Sequence, residues 1–398
     1  MRGTAVMIYE VYSLKNEYYD KYEQQSLQYY NSDFFSFGKI LRYGQYGHLT
    51  EDTINYLVDF LSVCDENIKK FMWVNYFIRF MGDDDFIYNI WELDSIPLPK
   101  EWEMRFPGAI NGLIYLYAYE LIEKWVRDRN LPKSISDGYL DRYKYFVELN
   151  LITHNTTGLC RLSHFLYAYA TARMLLIGRL SFQFLGCRDY AEVYEDGRGK
   201  RLFVALPNRM YDNYGYQTEK GKYPIYKKTG NIIYGHTFTE HGNITKEPSA
   251  LCLDGYKLIL SPGDDVVTVH IPEGGRLRPD IVYDSMVNAK KVFSKYFPSF
   301  KAFVCQTWFI DPNIKEILPK GGNLEAFANM FDVISGPDSM YHPVFEHIFK
   351  TKRCNFSELQ PRNEFQRKIL EYVSEGNRMY WGFGVLKNNY FKENRIHN

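Results

Sequence analysis

The stretch from Val266 to Asp280 holds the most informative arrangement in the chain: Val-Val-Thr-Val-His-Ile-Pro-Glu-Gly-Gly-Arg-Leu-Arg-Pro-Asp. A β-branched run enters a Gly-Gly turn, and a helix then opens with Pro279 at its first position. That is anion-binding geometry. N–H groups of the turn and of the first helical turn can point at phosphate oxygens, Gly274 and Gly275 let the backbone approach closely, and Arg276 and Arg278 add positive charge. The run is neither G-x-G-x-x-G nor a P-loop, and plain turn chemistry accounts for the glycines too. Strand alternation sets Thr268 and His270 on one face and Val267, Val269 and Ile271 on the other, so His270 points away from the purely apolar side.

Other chemistry-bearing residues are more scattered. Cys305 and Thr307 share one face of the run Ala302 to Ile310, while Gln306 and Trp308 share the other. A strand cysteine is most often a small hydrophobe; as a nucleophile it would need a close base. Ser285 falls inside the predicted helix, where packing or a local hydrogen bond accounts for it. His236 and His241 are five apart, as are His342 and His347, and neither pair has zinc-site spacing. Asp83-Asp84-Asp85 lacks the ligand pattern of a calcium loop. Tyr341 is a candidate general acid only by its place before the last strand. No metal is expected.

The elements that must position these residues change character along the chain. The first ~180 residues read as helices: Thr53 to Leu61 behind a cap, Asn111 to Arg127, a helix after Leu131-Pro132 that Ser136 or Asp137 would cap, and Leu162 to Leu176. Ser95 to Pro99 is a breaker because each proline removes a backbone donor. From Arg179 the period shortens to β-prone runs such as Arg201 to Leu206 and Asn231 to Tyr234, divided by glycines. Strands over Val266–Ile271 and Ala302–Ile310 then flank a helix over Pro279–Phe297. Helices over Asn323–Phe331 and Glu364–Glu375 and a strand over Trp381–Leu386 follow.

With 398 residues, 45% of them hydrophobic and 24% charged, the chain can bury a large core and is not disordered. Lys+Arg and Asp+Glu are both 48, so no global field attracts a polyanion; nucleic acid is disfavoured, and a phosphate must be gripped locally. Six cysteines stand apart with no C-x-x-C pair, as in reduced cytoplasmic proteins, and neither a leader nor a membrane span is evident. The 35 tyrosines are an excess that would suit a ligand-rich surface or a habit of composition.

His270-Ile271-Pro272-Glu273-Gly274-Gly275 with Ser285 downstream, then Phe303 to Pro312, resembles a family of bacterial two-domain acyltransferases. These join a helical N-acyltransferase N-terminal domain to a GNAT-like C-terminal domain. Ile177 to Gln183, Pro262-Gly263-Asp264, Asn323 to Phe327, and Phe365-Gln366-Arg367 followed by Gly376 complete the resemblance. It covers the C-terminal ~220 residues in order; the helical half fits more loosely.

The resemblance implies an α+β chain, with residues 1–175 as the helical domain and residues 176–398 as a GNAT-like mixed α/β domain. The Val266 strand would splay from the Ala302 strand, admitting the pantetheine of acyl-CoA. Gly274, Gly275, Arg276, Arg278 and Ser285 would bind that cosubstrate, although the usual GNAT phosphate signature is missing. His270 or Glu273 would act as base, and Cys305 would carry the acyl group if the enzyme worked covalently. The expected activity is transfer of an acyl group, acetyl by preference, to a small-molecule or peptide amine shaped by a Tyr-rich surface of the helical domain. The alternative is a catalytically silent ligand-binding protein of the same fold. Nothing in the sequence bears on oligomeric state.

Overall fold

The computed structural model describes residues 8–14, 17–81, 96–159, 163–187, 191–338, 348–349 and 358–393. Asp83 to Asp85, Ser95, Cys160, Tyr341, His342, His347 and Cys354 lie outside the described residues. The chain divides into two units, Met1–Ile177 and Gly178–Asn398.

The first unit is built of helices and ends in strand β1 (Met174–Ile177). Helix Glu51–Val63 starts where Thr50 accepts the N–H of Thr53, and it buries Leu57, Phe60 and Leu61. The stretch expected as one helix over 111–127 is two, Ala109–Tyr117 and Tyr119–Asp128, stepped at Ala118. Ala118 itself keeps helical dihedrals, and Leu113 to Tyr119 are all buried, so this stretch is enclosed on every face. Neither Ser136 nor Asp137 caps the next helix. It begins at Ser134 behind Pro132, and the Ser136 hydroxyl donates back to the Lys133 carbonyl at 2.8 Å. The last helix spans only Ser163–Ala170; Ala172 then turns the chain at φ 57° into β1.

Much of the tyrosine of this unit lies in its core, although Tyr29 and Tyr46 are exposed. Tyr19, Tyr22, Tyr43, Tyr115, Tyr117, Tyr119, Tyr139 and Tyr143 are fully buried. Several of their hydroxyls reach backbone carbonyls across elements, Tyr143 donating to Gly112 at 2.9 Å, Tyr19 to Pro97 at 2.8 Å and Tyr117 to Ser36 at 2.6 Å, while that of Tyr43 donates to the Glu120 carboxylate at 2.5 Å. Each ring adds apolar area and each O–H removes the cost of its own burial.

The second unit carries β2 (Leu180–Gly186), β3 (Ala191–Asp196), β4 (Arg201–Ala205), β5 (Met210–Tyr211), β6 (Gln217–Thr218), β7 (Tyr226–Thr229), β8 (Ile232–Gly235), β9 (Ser249–Cys252), β10 (Tyr256–Leu260), β11 (Asp265–His270), β12 (Ala302–Thr307), β13 (Phe331–Asp338) and β14 (Tyr380–Leu386). Its main sheet runs β2-β11-β12-β14-β13-β6-β5; β10-β3-β4 and β7-β8-β9 form two smaller sheets. β11 and β12 are parallel, joined by the helix Pro279–Tyr296, and β2 and β14 flank them antiparallel. Val266, Val304, Phe383 and Val385 face Val193, Phe203 and Leu260 in one core. Met286, Ala289 and Phe293 of the helix are also buried, and the Phe293 ring meets Phe182 of β2.

Two expected elements differ in extent. The strand from Ala302 stops at Thr307, and Trp308–Ile310 is a 3-10 turn that leads to the buried Asp311. The helix from Asn323 stops at Ala328, and Phe331 opens β13, a strand unannounced by its Gly336-Pro337 pair.

Candidate active site

Parallel pairing of β11 with β12 runs from Val266↔Ala302 to Val269↔Cys305. Beyond it the strands keep their outer partners: His270 pairs with Ser181 of β2, and Gln306 and Thr307 pair with Phe383 and Gly382 of β14. The two central strands therefore part company at the His270 end, where the loop Ile271–Arg278 begins.

That loop is held by one side chain. The Arg179 guanidinium donates to the carbonyls of Gly275 and Pro272, each at 2.7 Å, and reaches that of Gly274 at 3.5 Å. Turning the Gly274 and Gly275 carbonyls toward Arg179 points the N–H groups of the same peptides, those of Gly275 and Arg276, the other way. Among the described residues, the N–H groups of Gly274, Gly275, Arg276 and Leu277 have no acceptor. Gly274 sits at φ 137°, and a Cβ on either glycine would meet nothing within 4 Å. An open row of donors before a helix N-terminus is a cradle for anionic oxygen.

The predicted ligands of this cradle behave differently from one another. Arg276 is exposed, and among the described residues it has no carboxylate partner. Arg278 is engaged by Asp280, with nitrogen–oxygen distances of 2.6 and 3.2 Å. That pair holds the Asp280 carboxyl below its usual range. Ser285 is buried below the loop; its hydroxyl accepts the Arg179 N–H and donates to the Ile281 carbonyl, both at 2.8 Å. Its place is in anchoring Arg179, and it does not line the cradle.

His270 is half-buried, and its Nε2 lies 2.9 Å from Gln183 Oε1. An amide oxygen only accepts, so Nε2 donates to it, and whenever the ring is neutral its lone pair is on Nδ1. Gln183 pairs opposite Thr268, on the same face as His270. Glu273 is exposed on the loop.

Cys305 does not meet His270. It stands in register with Val269, hence on the opposite face of the sheet from His270. It is 1% exposed, and burial pushes its thiol well above the ordinary range. A Cys305–His270 couple is thus excluded by strand register. The metal alternatives also dissolve: buried His236 Nδ1 lies 2.8 Å from the Thr245 carbonyl, whereas His241 is exposed beside Glu240 and Glu316. Among the described residues, no group of three or more His, Cys, Asp or Glu is arranged to hold a metal, and no helix is long and apolar enough to cross a membrane.

Two residues of the site, Arg179 and Gln183, act here without having been singled out by sequence. Both lie in the Ile177–Gln183 run, and only their partners far along the chain reveal what they do.

Residues 174–386 match the family model of the GNAT-like C-terminal domain. Among solved structures, the chain is similar to a mutant acyltransferase in complex with octanoyl-CoA, at a TM-score of 0.63 and 12% identity over 96% of this chain and 98% of that one. It is also similar to an acyltransferase in complex with decanoyl-CoA and teicoplanin, at 0.61 and 12% over the same shares. The likeness spans both units and establishes a common α+β fold: a helical N-terminal region before a GNAT-like mixed sheet. No curated protein matches the chain in sequence.

Proposed function

Because the chain belongs to the family of the GNAT-like C-terminal domain, we propose that it is an acyltransferase taking its acyl group from acyl-CoA and passing it to an amine. The observation that supports this is the loop after β11, where Arg179 holds the carbonyls and the N–H groups of Gly275 and Arg276, in the same peptides as two of those carbonyls, point the other way. Those donors and Arg276 would take the pyrophosphate. The pantetheine would then enter where β11 and β12 part.

His270 is the proposed base. The amine nitrogen attacks the thioester carbonyl carbon, His270 Nδ1 takes the proton that nitrogen sheds, and the carbon–sulfur bond breaks as the CoA thiolate leaves and is protonated. Gln183 fixes the tautomer. Glu273, being exposed, is the weaker candidate. Cys305 takes no part, so transfer is direct.

The acyl chain is read as acetyl. Octanoyl- and decanoyl-CoA belong in the same assay because solved acyltransferase structures of this fold are complexes with them, one of them also with teicoplanin. The acceptor is proposed to be a small-molecule or peptide amine. The test is release of CoA thiol from these three thioesters across an amine panel. Turnover should fall by roughly 10²–10⁴-fold in His270→Ala, with a smaller loss in Gln183→Ala. Turnover that survives His270→Ala but not Glu273→Gln moves the base to Glu273. Folded protein that shows no heat with millimolar CoA refutes the proposal, while binding without turnover leaves a silent ligand-binding protein.

A further inference from the structure

A cavity of about 310 Å³ adjoins the end of the loop and the start of the helix that follows it. Leu277 and Pro279 belong to both loop and cavity; Val282, Ala326, Met330 and Tyr390 complete an apolar wall, and Asn329 and Asn389 contribute amides. One cation lines it, Lys387. This lysine is half-buried, and among the described residues it enters no ion pair. Its near electrostatic neighbour is another cation: Lys315 is pushed down by burial first and then by the Lys387 charge. Lys387 is thus a half-buried ammonium with a second ammonium near it, and although Glu325 and Asp332 also act on that second lysine, among the described residues no carboxylate pairs with Lys387 itself.

The cavity has the size of an ordinary small-molecule site and combines flat apolar faces, amide groups and one unneutralised cation. A purine with a phosphate on its ribose presents the matching set. Accepting the acyl-CoA reading above, the pyrophosphate lies on Gly274 to Leu277 and the thioester end runs back toward His270. The nucleotide end then lies within reach of the cavity that Leu277 and Pro279 border. We propose that this cavity seats the adenosine of CoA and that Lys387 binds its 3′-phosphate.

The proposal separates CoA from 3′-dephospho-CoA, which differ only in that phosphate. Calorimetry on the full chain should give CoA an advantage of roughly tenfold or more, the scale of one charge-assisted hydrogen bond. Lys387→Met should shrink the advantage to roughly threefold or less, by weakening CoA and leaving dephospho-CoA unchanged. Ala326→Trp, which fills the hollow from a half-exposed position, should weaken both ligands while sparing 4′-phosphopantetheine. An unchanged ratio in Lys387→Met, or a wild-type protein that binds both ligands equally, overturns this assignment but leaves the acyl-CoA reading intact. So does an Ala326→Trp variant that binds CoA normally and shifts the preferred acyl chain to shorter lengths, since the hollow is then the acyl chamber. Failure of wild type to bind either ligand removes the acyl-CoA reading itself.

Discussion

Arg179 and Ser285 are tied backbone to side chain: the Arg179 N–H donates to Ser285 Oγ, which in turn donates to the Ile281 carbonyl, both at 2.8 Å. The bond fixes the base of the Arg179 side chain on the helix, and its guanidinium then holds the loop. Arg179 is thus a positioning residue, because it meets the loop's carbonyls while the proposed ligand meets the N–H groups.

Arg179→Met should therefore loosen the loop without touching the base. CoA affinity, or KM for acyl-CoA, should worsen roughly tenfold or more, with kcat nearly kept, on the scale of two or three charge-assisted bonds lost. Arg179→Lys should recover little, since an ammonium cannot span three carbonyls as a planar guanidinium does. Equal loss in kcat and KM would show that Arg179 serves general stability instead.

Gly178 offers a test of the same anchor by stability. Its φ is 63°, and a Cβ there would stand 2.4 Å from Ser285 Oγ. Gly178→Ala should destabilise by about 2 kcal/mol or more, from left-handed strain plus the clash. Ser285→Ala should cost about 1 kcal/mol, leaving the Arg179 N–H without its acceptor. Combined, the two should cost at least about 1 kcal/mol less than their sum, because removing the hydroxyl removes the clash. Urea unfolding of the four proteins gives the answer, and simple additivity would refute the contact.

Cys305 gives a prediction of the opposite kind. Its thiol is buried, pushed up by that burial and set on the far face from His270. Cys305→Ala should keep turnover within about twofold while lowering stability by about 1–2 kcal/mol for the small cavity left. Alkylation of the folded protein should mark exposed Cys252 before Cys305. A kinetic collapse in Cys305→Ala, with folding intact, would restore the covalent mechanism.

The strand, glycine turn and helix from Val266 to Tyr296 were legible because each element carries local signals: β-branched residues, Gly274-Gly275 and Pro279 at the helix start. What was hidden depended on contacts distant in sequence. Arg179 stands 96 residues before Gly275, and nothing in either neighbourhood announces the bond. The separation of Cys305 from His270 needed the register of β11 on β12, which alternation within each strand cannot supply. Tyrosine misled for a related reason. Its ring and hydroxyl suit a ligand surface or a core with carbonyls in reach, and in the first unit Tyr143 on Gly112 shows the second use.

Asp311 supplies a pH dependence outside the catalytic groups. It is wholly buried at the N-terminus of the helix Pro312–Ile317, accepting from Asn313 N–H at 3.0 Å and Ser335 Oγ at 2.5 Å. Burial raises its carboxyl from the ordinary carboxylate range to about 6, although these bonds pull the other way. The folded protein therefore holds this proton more tightly than the unfolded chain, and the linked stability is greatest below about pH 4. It is lost as pH rises through about 6, a change of about 2–3 kcal/mol from this group alone. Urea unfolding between pH 4 and pH 7.5 should show the wild type losing this much more than Asp311→Asn, which cannot ionise. Parallel profiles for the two proteins would mean that the carboxyl titrates normally despite its burial.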